Sequence, residues 1–482
     1  MKRLPRWTGL LIIAGVGPAL AGCGGKEPPG DAVTDVPEAT DASNAADAAY
    51  VPPTGRCGMP QYALLDRATL GKVVASESID MLSLDADTIE SLLASAGFSA
   101  LGPVPYGTRE YRFRYSTQDR GQAIEATALL AVPVGEAPLT DPVPVLMYAH
   151  GTTGFSDPCA PGNEDRWFSD AMLPAALASQ GFVVIAPDYI GMNSFGAAST
   201  VRHGYLVGEQ TAIGAWDAVR GGLALLGTLE DAPAASNRIA LWGASQGGHA
   251  VLFTELWAPY YAPEFDVAAV VAVAPATDLL SLMAKALQEI GDSTGLFAIS
   301  LLTLQIWYGR TADLAMAFTN VAPHYFADNA EALVFPENRC SIDLGIDPDT
   351  ATLDLLFDTD FTKAVQERRF DDIGPWNCYY QENSLGTSPV LPLRHTPTLM
   401  VYAENDTVVD TDSQKIDFEA LCSKGYRLDF LECRGAGHTQ AALWSLPEQL
   451  AWIRARLAGT PVPDGETCTV EAPVVCSATP AE

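Results

Sequence analysis

From residue 111 onward, short and nearly continuous apolar runs alternate with longer segments whose apolar residues recur at helical spacing. Such runs are typical of strands buried on both faces, and the alternation is typical of a mostly parallel sheet with helices on both sides. Strands are predicted at residues 111–115, 126–132, 143–149, 182–186, 238–242, 267–273, 398–402 and 428–432. Helices are predicted at residues 169–179, 210–226 and 247–257. The sequence therefore predicts an α/β fold whose first two strands form a hairpin.

One long gap interrupts this alternation of strands and helices. About 120 residues separate the strand at 267–273 from the strand at 398–402, far more than one crossover connection needs. The first part of this stretch is helical in pattern and strongly apolar, and the second part is mixed and rich in Asp. We predict an inserted, largely helical cap at residues 278–394, acting as a lid and acyl-binding wall. Alternatively, its apolar faces only pack on the main domain. The remaining segments are core residues 57–277, core residues 395–460 and a C-terminal tail at 461–482.

The first residues have the features of an export signal. Lys2, Arg3 and Arg6 precede an apolar stretch at residues 10–20 that is short for a membrane span. The stretch ends in L-A-G-C, which resembles a bacterial lipobox, so residues 1–22 are predicted as a lipoprotein signal peptide and Cys23 as the site of lipid attachment. A plain secretory signal is the alternative. Residues 23–56 are poor in large apolar side chains and are predicted as a disordered tether.

Charge narrows the possible partners. The chain has 59 acidic residues against 28 Lys and Arg, for a net charge of −31. Such a chain repels phosphate backbones, so we expect no nucleic acid partner. Because Gly24, rather than an Asp, follows Cys23, an outer-membrane anchor is preferred over an inner-membrane one. The oligomeric state is not predicted.

Nine cysteines are present, and setting Cys23 aside leaves an even number for an exported protein. An even number in an oxidising compartment predicts disulfides. Proximity alone favours the pairs Cys422–Cys433 and Cys468–Cys476. No Cys and His spacing typical of zinc sites occurs, so no metal site is predicted.

The candidate chemistry centres on G-A-S-Q-G at residues 243–247, after the strand at 238–242 and before a helix. A G-x-S-x-G sequence in this position is typical of a nucleophile elbow, a tight turn that exposes the serine Oγ. The flanking residues must be small to avoid a clash with the neighbouring strand and helix. The turn also directs the backbone N–H of Gln246 at a developing oxyanion. We predict Ser245 as the nucleophile; a turn with a capping serine is the alternative.

A nucleophilic serine needs a base, and three histidines lie beyond the helix that follows Ser245 in the sequence. The order along the chain in elbow hydrolases is Ser, then acid, then His. His324 falls in the predicted cap, and His395 precedes a strand, which places it at the wrong edge of the sheet. His438 follows the last predicted strand in a Gly-rich loop that can turn back over the serine. We therefore predict His438 as the base.

The acid should follow the strand before the one that leads to His438. Asp406 lies just beyond the strand at 398–402, at the carboxyl edge where catalytic groups gather in open parallel sheets. It would hold the tautomer of His438 and stabilise the imidazolium. Glu404, Asp410 and Asp278 are the competing acids.

The second oxyanion donor should come from H-G-T-T-G at residues 150–154. We assign it to the backbone N–H of Thr152, which predicts little loss when the Thr side chain is changed. His150 is expected to order this loop rather than to transfer a proton.

Several segments together resemble the secretory lipase family of α/β-hydrolases. They are H-G-T-T-G at 150–154, D-P-C-A-P at 157–161, A-P-D-Y-I-G at 186–191 and G-A-S-Q-G at 243–247. The positions of Asp406 and His438 match the acid and base of that family. The resemblance covers about residues 140–445, and it implies an α/β-hydrolase fold with an inserted lid that hydrolyses carboxylic esters, triacylglycerols among them. The lipobox and tether depart from the many freely secreted members.

The leading function is thus a serine carboxylic-ester hydrolase that forms an acyl-enzyme on Ser245 and acts on an ester with an acyl chain. The predicted triad needs no cofactor. A serine peptidase on the same fold is one alternative, because fold and triad do not choose the leaving group. A catalytically silent binding module displayed at the membrane is the other, and the complete set of Ser245, Asp406 and His438 argues against it.

Overall fold

The structure is a computed structural model that describes residues 54–95, 103–136, 138–309, 314–319, 340, 351–462 and 467–480. The predicted signal peptide, Cys23 and most of the tether lie outside the described residues, as does His324. None of the helices in the described part of the chain combines the length and the apolar character that a membrane span requires.

Nine strands occur in the described residues and form one sheet. They are β1 Val73–Ser78, β2 Gly107–Asp119, β3 Gln122–Val134, β4 Val143–Ala149, β5 Val183–Pro187, β6 Ala235–Ala244, β7 Asp266–Val273, β8 Thr398–Ala403 and β9 Leu428–Cys433. Their spatial order is β1-β2-β3-β5-β4-β6-β7-β8-β9. The first three strands pair antiparallel, and β3 meets β5 antiparallel. All pairings from β5–β4 to β8–β9 are parallel. The predicted mostly parallel sheet, including its hairpin, is confirmed.

Thirteen α-helices occur in the described residues. They are α1 Ala86–Ser95, α2 Met172–Ala178, α3 Gly208–Leu226, α4 Gln246–Tyr261, α5 Leu279–Ala286, α6 Asp292–Tyr308, α7 Leu314–Ala317, α8 Leu353–Leu356, α9 Thr359–Gln366, α10 Pro375–Glu382, α11 Thr411–Ser423, α12 His438–Trp444 and α13 Leu446–Leu457. Six of them, α5 to α10, lie between β7 and β8, within the stretch for which the sequence predicts an insertion.

Both faces of the sheet are buried, which explains the continuous apolar runs. Along β6, Ile239 and Leu241 pack into the hydrophobic core on one face, whereas Ala240 and Trp242 pack into the core on the other. A central strand covered on both sides has no solvent face that would favour polar residues. The edge strand β1 was not predicted, because its sequence V-V-A-S-E-S is largely exposed and lacks such a run.

A separate hydrophobic cluster joins the helices between β7 and β8. Phe297 on α6, Phe361 on α9 and Trp376 on α10 are all buried in it. Tyr205, which precedes α3, belongs to the same cluster. These helices therefore share a core of their own, and this core reaches the chain next to α3.

Four disulfides link the eight described cysteines, and neither pair expected from proximity is formed. The pairs are Cys57–Cys378, Cys159–Cys340, Cys422–Cys468 and Cys433–Cys476. The predicted pairs Cys422–Cys433 and Cys468–Cys476 are wrong because the two members of each pair lie at opposite ends of strand β9. Cys422 lies in the last turn of α11 and so near the start of β9, whereas Cys433 ends β9, about 17 Å further along.

The C-terminal residues follow β9 in the same direction. The amide of Cys468 donates to Leu428 O at the start of β9, and the amide of Val474 donates to Glu432 O near its end. Cys468 therefore meets Cys422 at the start of β9, and Cys476 meets Cys433 at its end. The segment predicted as a tail is held on the core at both points.

Glu110 on β2 yields a prediction about stability. Its side chain is buried, and burial raises its pKa well above the usual range, with only partial compensation from Thr108. The unfolded carboxyl ionises near pH ~4.3 while the folded one retains its proton, so stability falls as pH rises above that value. We expect Glu110→Gln to raise the Tm by several degrees near pH ~8 and to change it little near pH ~4.

Thermal unfolding followed across this pH range checks the prediction. Glu90→Gln, the same exchange at an exposed position on α1, is the control and should leave the dependence of Tm on pH as it is in the unaltered protein. Equal pH dependence in Glu110→Gln and the unaltered protein would show that Glu110 is not the group responsible.

Candidate active site

Ser245 lies between the end of β6 and the start of α4, at a turn with a strained backbone. Its φ of 58° and ψ of −118° are unusual for a residue with a side chain. A Cβ atom on Gly243 would lie 2.1 Å from Gly247 O, and one on Gly247 would lie 2.0 Å from Ala149 O. The two glycines are therefore required because strand β4, strand β6 and helix α4 meet here in close contact.

Two hydrogen bonds connect Ser245, His438 and Asp406 in series. His438 Nε2 lies 2.8 Å from Ser245 Oγ, and His438 Nδ1 lies 2.7 Å from Asp406 Oδ2. An ionised carboxylate only accepts, so Nδ1–H donates to Asp406 and Nε2 is left to accept the Ser245 hydroxyl proton. The structure thus brings together the three residues that the sequence assigns to nucleophile, base and acid.

Asp406 is fixed on its second oxygen as well. The backbone N–H groups of Val408 and Val409 both donate to Asp406 Oδ1 at 2.9 Å. Its side chain is almost completely buried, whereas that of His438 keeps 15% exposure. The carboxylate is therefore held in one orientation toward the imidazole, and the imidazole remains accessible from the side of a substrate.

The competing acids have other partners. Glu404 accepts the N–H of Gly435, and this bond ties the loop before His438 to the loop that carries Asp406. Asp410 caps the N-terminus of α11, and Asp278 caps that of α5. None of the three makes a hydrogen bond to His438 in the described structure. His395 precedes β8, and its ring contacts that of Tyr426, which precedes β9. It therefore lies where these strands begin, whereas Ser245 lies where β6 ends.

The loop at 150–154 lies against the elbow. A Cβ on Gly151 would lie 3.9 Å from Ser245 Cβ, so the backbone passes close to the serine. His150 is buried, its Nδ1 lies 2.6 Å from Gly151 O, and burial lowers its pKa to about 4. A neutral imidazole bonded to its own loop agrees with an ordering role. Gln246 begins α4, as its assignment as an oxyanion donor requires.

Three aromatic side chains beside this loop were not singled out from the sequence. His203 contacts the side chain of Gln246, Tyr205 contacts that of Thr152, and Tyr189 lies between His150 and His203. Tyr189 belongs to A-P-D-Y-I-G at 186–191, the one available signal. His203 and Tyr205 precede α3 in a segment without regular structure, where spacing carries no information.

A cavity adjoins Ser245. Its walls come mainly from the facing sides of α5 and α6, with Tyr205, Tyr380 and the turn after Asp406 completing it. Most of the lining side chains are apolar, among them Leu279, Leu282, Met283, Leu296, Phe297 and Val409. Among the described residues, no group of three or more His, Cys, Asp or Glu is placed to hold a metal ion.

The family model described as secretory lipase matches residues 168–465, well over half of the chain. The chain belongs to the secretory lipase family. The matched stretch includes Ser245, Asp406 and His438, together with all of the helices that line the cavity.

Two fungal lipases are similar to this chain over part of their length. Lipase A of Arthroderma benhamiae is 25% identical over 317 residues, covering 63% of this chain and 59% of that protein. Lipase 2 of Candida albicans is 27% identical over 308 residues, covering 61% of this chain and 59% of that protein. The chain thus spans 59% of the length of each of these two lipases.

Solved structures share the fold. The rice cell wall degrading esterase LipA of Xanthomonas oryzae aligns with a TM-score of 0.64 at 20% identity, covering 80% of this chain and 97% of that one. Candida antarctica lipase A in its closed state aligns with a TM-score of 0.59 at 16% identity, covering 90% of this chain and 93% of that one. The α/β-hydrolase fold predicted from the sequence is therefore confirmed.

Proposed function

We propose that the protein is a serine carboxylic-ester hydrolase, with Ser245 as nucleophile, His438 as base and Asp406 as acid. The single observation that carries this proposal is the continuous series of hydrogen bonds from Asp406 through His438 to Ser245 Oγ. Membership of the secretory lipase family agrees with it. The fold alone would leave the leaving group open.

The reaction proceeds in two acyl transfers. Ser245 Oγ attacks the ester carbonyl carbon as its proton passes to His438 Nε2, and the carbonyl oxygen becomes an oxyanion that the N–H groups of Gln246 and Thr152 stabilise. Collapse breaks the bond to the alcohol, which leaves with the proton from His438. Water, deprotonated by His438, then attacks the acyl-enzyme and releases the carboxylic acid and free Ser245.

The cavity beside Ser245 supports an ester with an apolar acyl chain as the substrate. Its walls from α5 and α6 offer carbon surface, and burial of each CH₂ group contributes about 0.8 kcal/mol. The fungal relatives carry the name lipase, which agrees with a lipid ester. Because residues 278–394 supply most of this wall, we propose that they act as the cap of the acyl site.

The N-terminal sequence supports a membrane-anchored location. In this proposal Cys23 is acylated after removal of residues 1–22, and residues 23–56 connect the anchor to the folded domain. The four disulfides agree with an oxidising compartment outside the cytoplasm. The enzyme would then act at the cell envelope, with the outer membrane preferred.

The triad is tested by Ser245→Ala and Asp406→Asn, assayed on p-nitrophenyl esters and on amino-acid p-nitroanilides. We expect kcat to fall about 10⁶-fold without the nucleophile. Asp406→Asn should lower kcat about 10⁴-fold, because the amide favours the wrong imidazole tautomer. Asp410→Asn is the matched control, since Asn also caps a helix and Asp410 does not contact His438.

Turnover by Ser245→Ala at the rate of the unaltered protein would contradict the proposal. Cleavage of the anilides without cleavage of the esters would support a peptidase instead. Absence of any turnover or serine labelling in the unaltered protein would favour a silent binding module.

The acyl site is tested by Met283→Trp, which places a larger side chain in the cavity wall. We expect kcat/KM for p-nitrophenyl decanoate to fall at least about 10-fold relative to p-nitrophenyl acetate, because the longer chain loses its space. Met81→Trp is the same exchange at an exposed position and should leave the ratio unchanged. An unchanged ratio in Met283→Trp would place the acyl chain elsewhere.

The anchor is tested by Cys23→Ser in a bacterial host that processes lipoproteins. We expect the unaltered protein to sediment with membranes and to incorporate labelled palmitate, and the variant to do neither. An unaltered protein that is released without label would show that the N-terminus is an ordinary secretory signal.

A further inference from the structure

One short segment contacts both residues to which the oxyanion donors are assigned. This brace segment, His203-Gly204-Tyr205, precedes α3. His203 Nε2 lies 2.8 Å from Gln246 Nε2, and Thr152 Oγ1 donates to Tyr205 OH at 3.2 Å. The two proposed donors come from separate loops, after β6 and after β4, and the brace segment bonds to the side chain of each.

The direction of the bond to Gln246 follows from the other ring nitrogen. His203 Nδ1 lies 3.1 Å from the carbonyl oxygen of Ile190, which only accepts, so Nδ1 carries the proton. Nε2 is then an acceptor, and the side-chain amide of Gln246 donates to it. Burial lowers the pKa of His203 to about 3, so the ring stays neutral and keeps this arrangement at neutral pH.

The brace segment is fixed from behind by Tyr189. The Tyr189 ring stacks on His203 with centroids 5.5 Å apart and lies 4.2 Å from the His150 ring. Its hydroxyl donates to His150 O at 2.7 Å. A Cβ on Gly191 would lie 2.2 Å from the backbone nitrogen of His203, so these two stretches of backbone are in direct contact. His203 is therefore packed between Tyr189 and Gln246.

Helix α3 holds the segment from the other side. Gly204 N–H donates to Gln210 Oε1 at 2.6 Å, and Gln210 Nε2 donates to Asp119 Oδ1 at 3.0 Å. Both Gln210 and Asp119 are buried. The brace segment is thus tied to α3 and β2, and on the cavity side Thr303 of α6 donates to Tyr205 O at 3.5 Å.

We propose that His203 and Tyr205 are positioning residues that hold the N–H groups of Gln246 and Thr152 in the geometry needed by the oxyanion. This inference rests on the proposed ester hydrolysis. Oxyanion donors are effective only when they are oriented in advance. Loosening them weakens binding of the transition state more than binding of the substrate. From the sequence, little loss is expected when the Thr152 side chain is changed, because the assigned donor is a backbone N–H. The hydrogen bond from the Thr152 hydroxyl to Tyr205 OH leads this proposal to the opposite expectation.

The test compares His203→Leu with His203→Gln, using p-nitrophenyl butyrate and rates divided by the fraction of serine that a fluorophosphonate labels at completion. Leucine offers no acceptor to Gln246, whereas glutamine offers a carbonyl oxygen. We expect kcat to fall about 10-fold or more in His203→Leu with KM nearly constant, and His203→Gln to recover most of the loss.

Two double-mutant cycles keep the test independent of any one variant. Gln246→Met should lose as much as His203→Leu, and the double variant should lose no more than either alone, because both remove one interaction. Thr152→Val and Tyr205→Phe should behave in the same way at the second donor. Affinity for a trifluoromethyl ketone, whose adduct carries an oxyanion, should fall with kcat/KM in each variant.

His249→Leu is the matched control. His249 is another buried histidine, and its Nε2 lies 2.9 Å from Asn383 O rather than from an assigned donor residue. It should lower the Tm but keep kcat. Equal loss of kcat in His249→Leu and His203→Leu, or normal kcat and ketone affinity in the brace variants of an active enzyme, would overturn the positioning role alone. An unaltered protein that neither hydrolyses the ester nor labels would overturn the proposed function as well.

Discussion

The close contact between the end of β6, the end of β4 and the first turn of α4 is the constraint on which the site depends. It leaves no space for a side chain at Gly243 or Gly247 and forces Ser245 into a positive φ. A conformation of this kind costs about 1–3 kcal/mol and persists only where the surroundings determine it fully. The two hydrophobic cores on the faces of the sheet hold these elements in place, and the partly buried serine lies where the strands end.

The other two triad residues are positioned by loops that are joined to each other. Asn405 N–H donates to Ala436 O, and Glu404 accepts the N–H of Gly435, so the acid loop and the base loop form one unit. The disulfide Cys433–Cys476 holds the start of the base loop to the C-terminal segment. The imidazole thus reaches Ser245 from a fixed frame, while the helices between β7 and β8 shape the adjoining cavity.

Local patterns were sufficient for the parts of the molecule where burial decides residue type. Strand β4 was predicted with its bounds. Ser245, Asp406 and His438 could be chosen from the positions of the strands together with the Ser, acid, His order of elbow hydrolases. Long-range pairing was not accessible in this way. Cys422 and Cys433 are near in sequence but lie at opposite ends of β9. His203, which contacts Gln246, lies in a segment whose sequence has no helix or strand periodicity. Such contacts depend on how separate elements pack, which spacing along the chain does not encode.

We propose that Ser245, at the strained turn, is the nucleophile that His438 activates. Mass spectrometry of proteolytic peptides after treatment with a fluorophosphonate tests it most directly. We expect one adduct per chain, located on the peptide that contains Ser245, with labelling slowed by a short-chain ester and strongly slowed in Asp406→Asn. An adduct on a different residue, or ester hydrolysis that continues after complete labelling of Ser245, would contradict it.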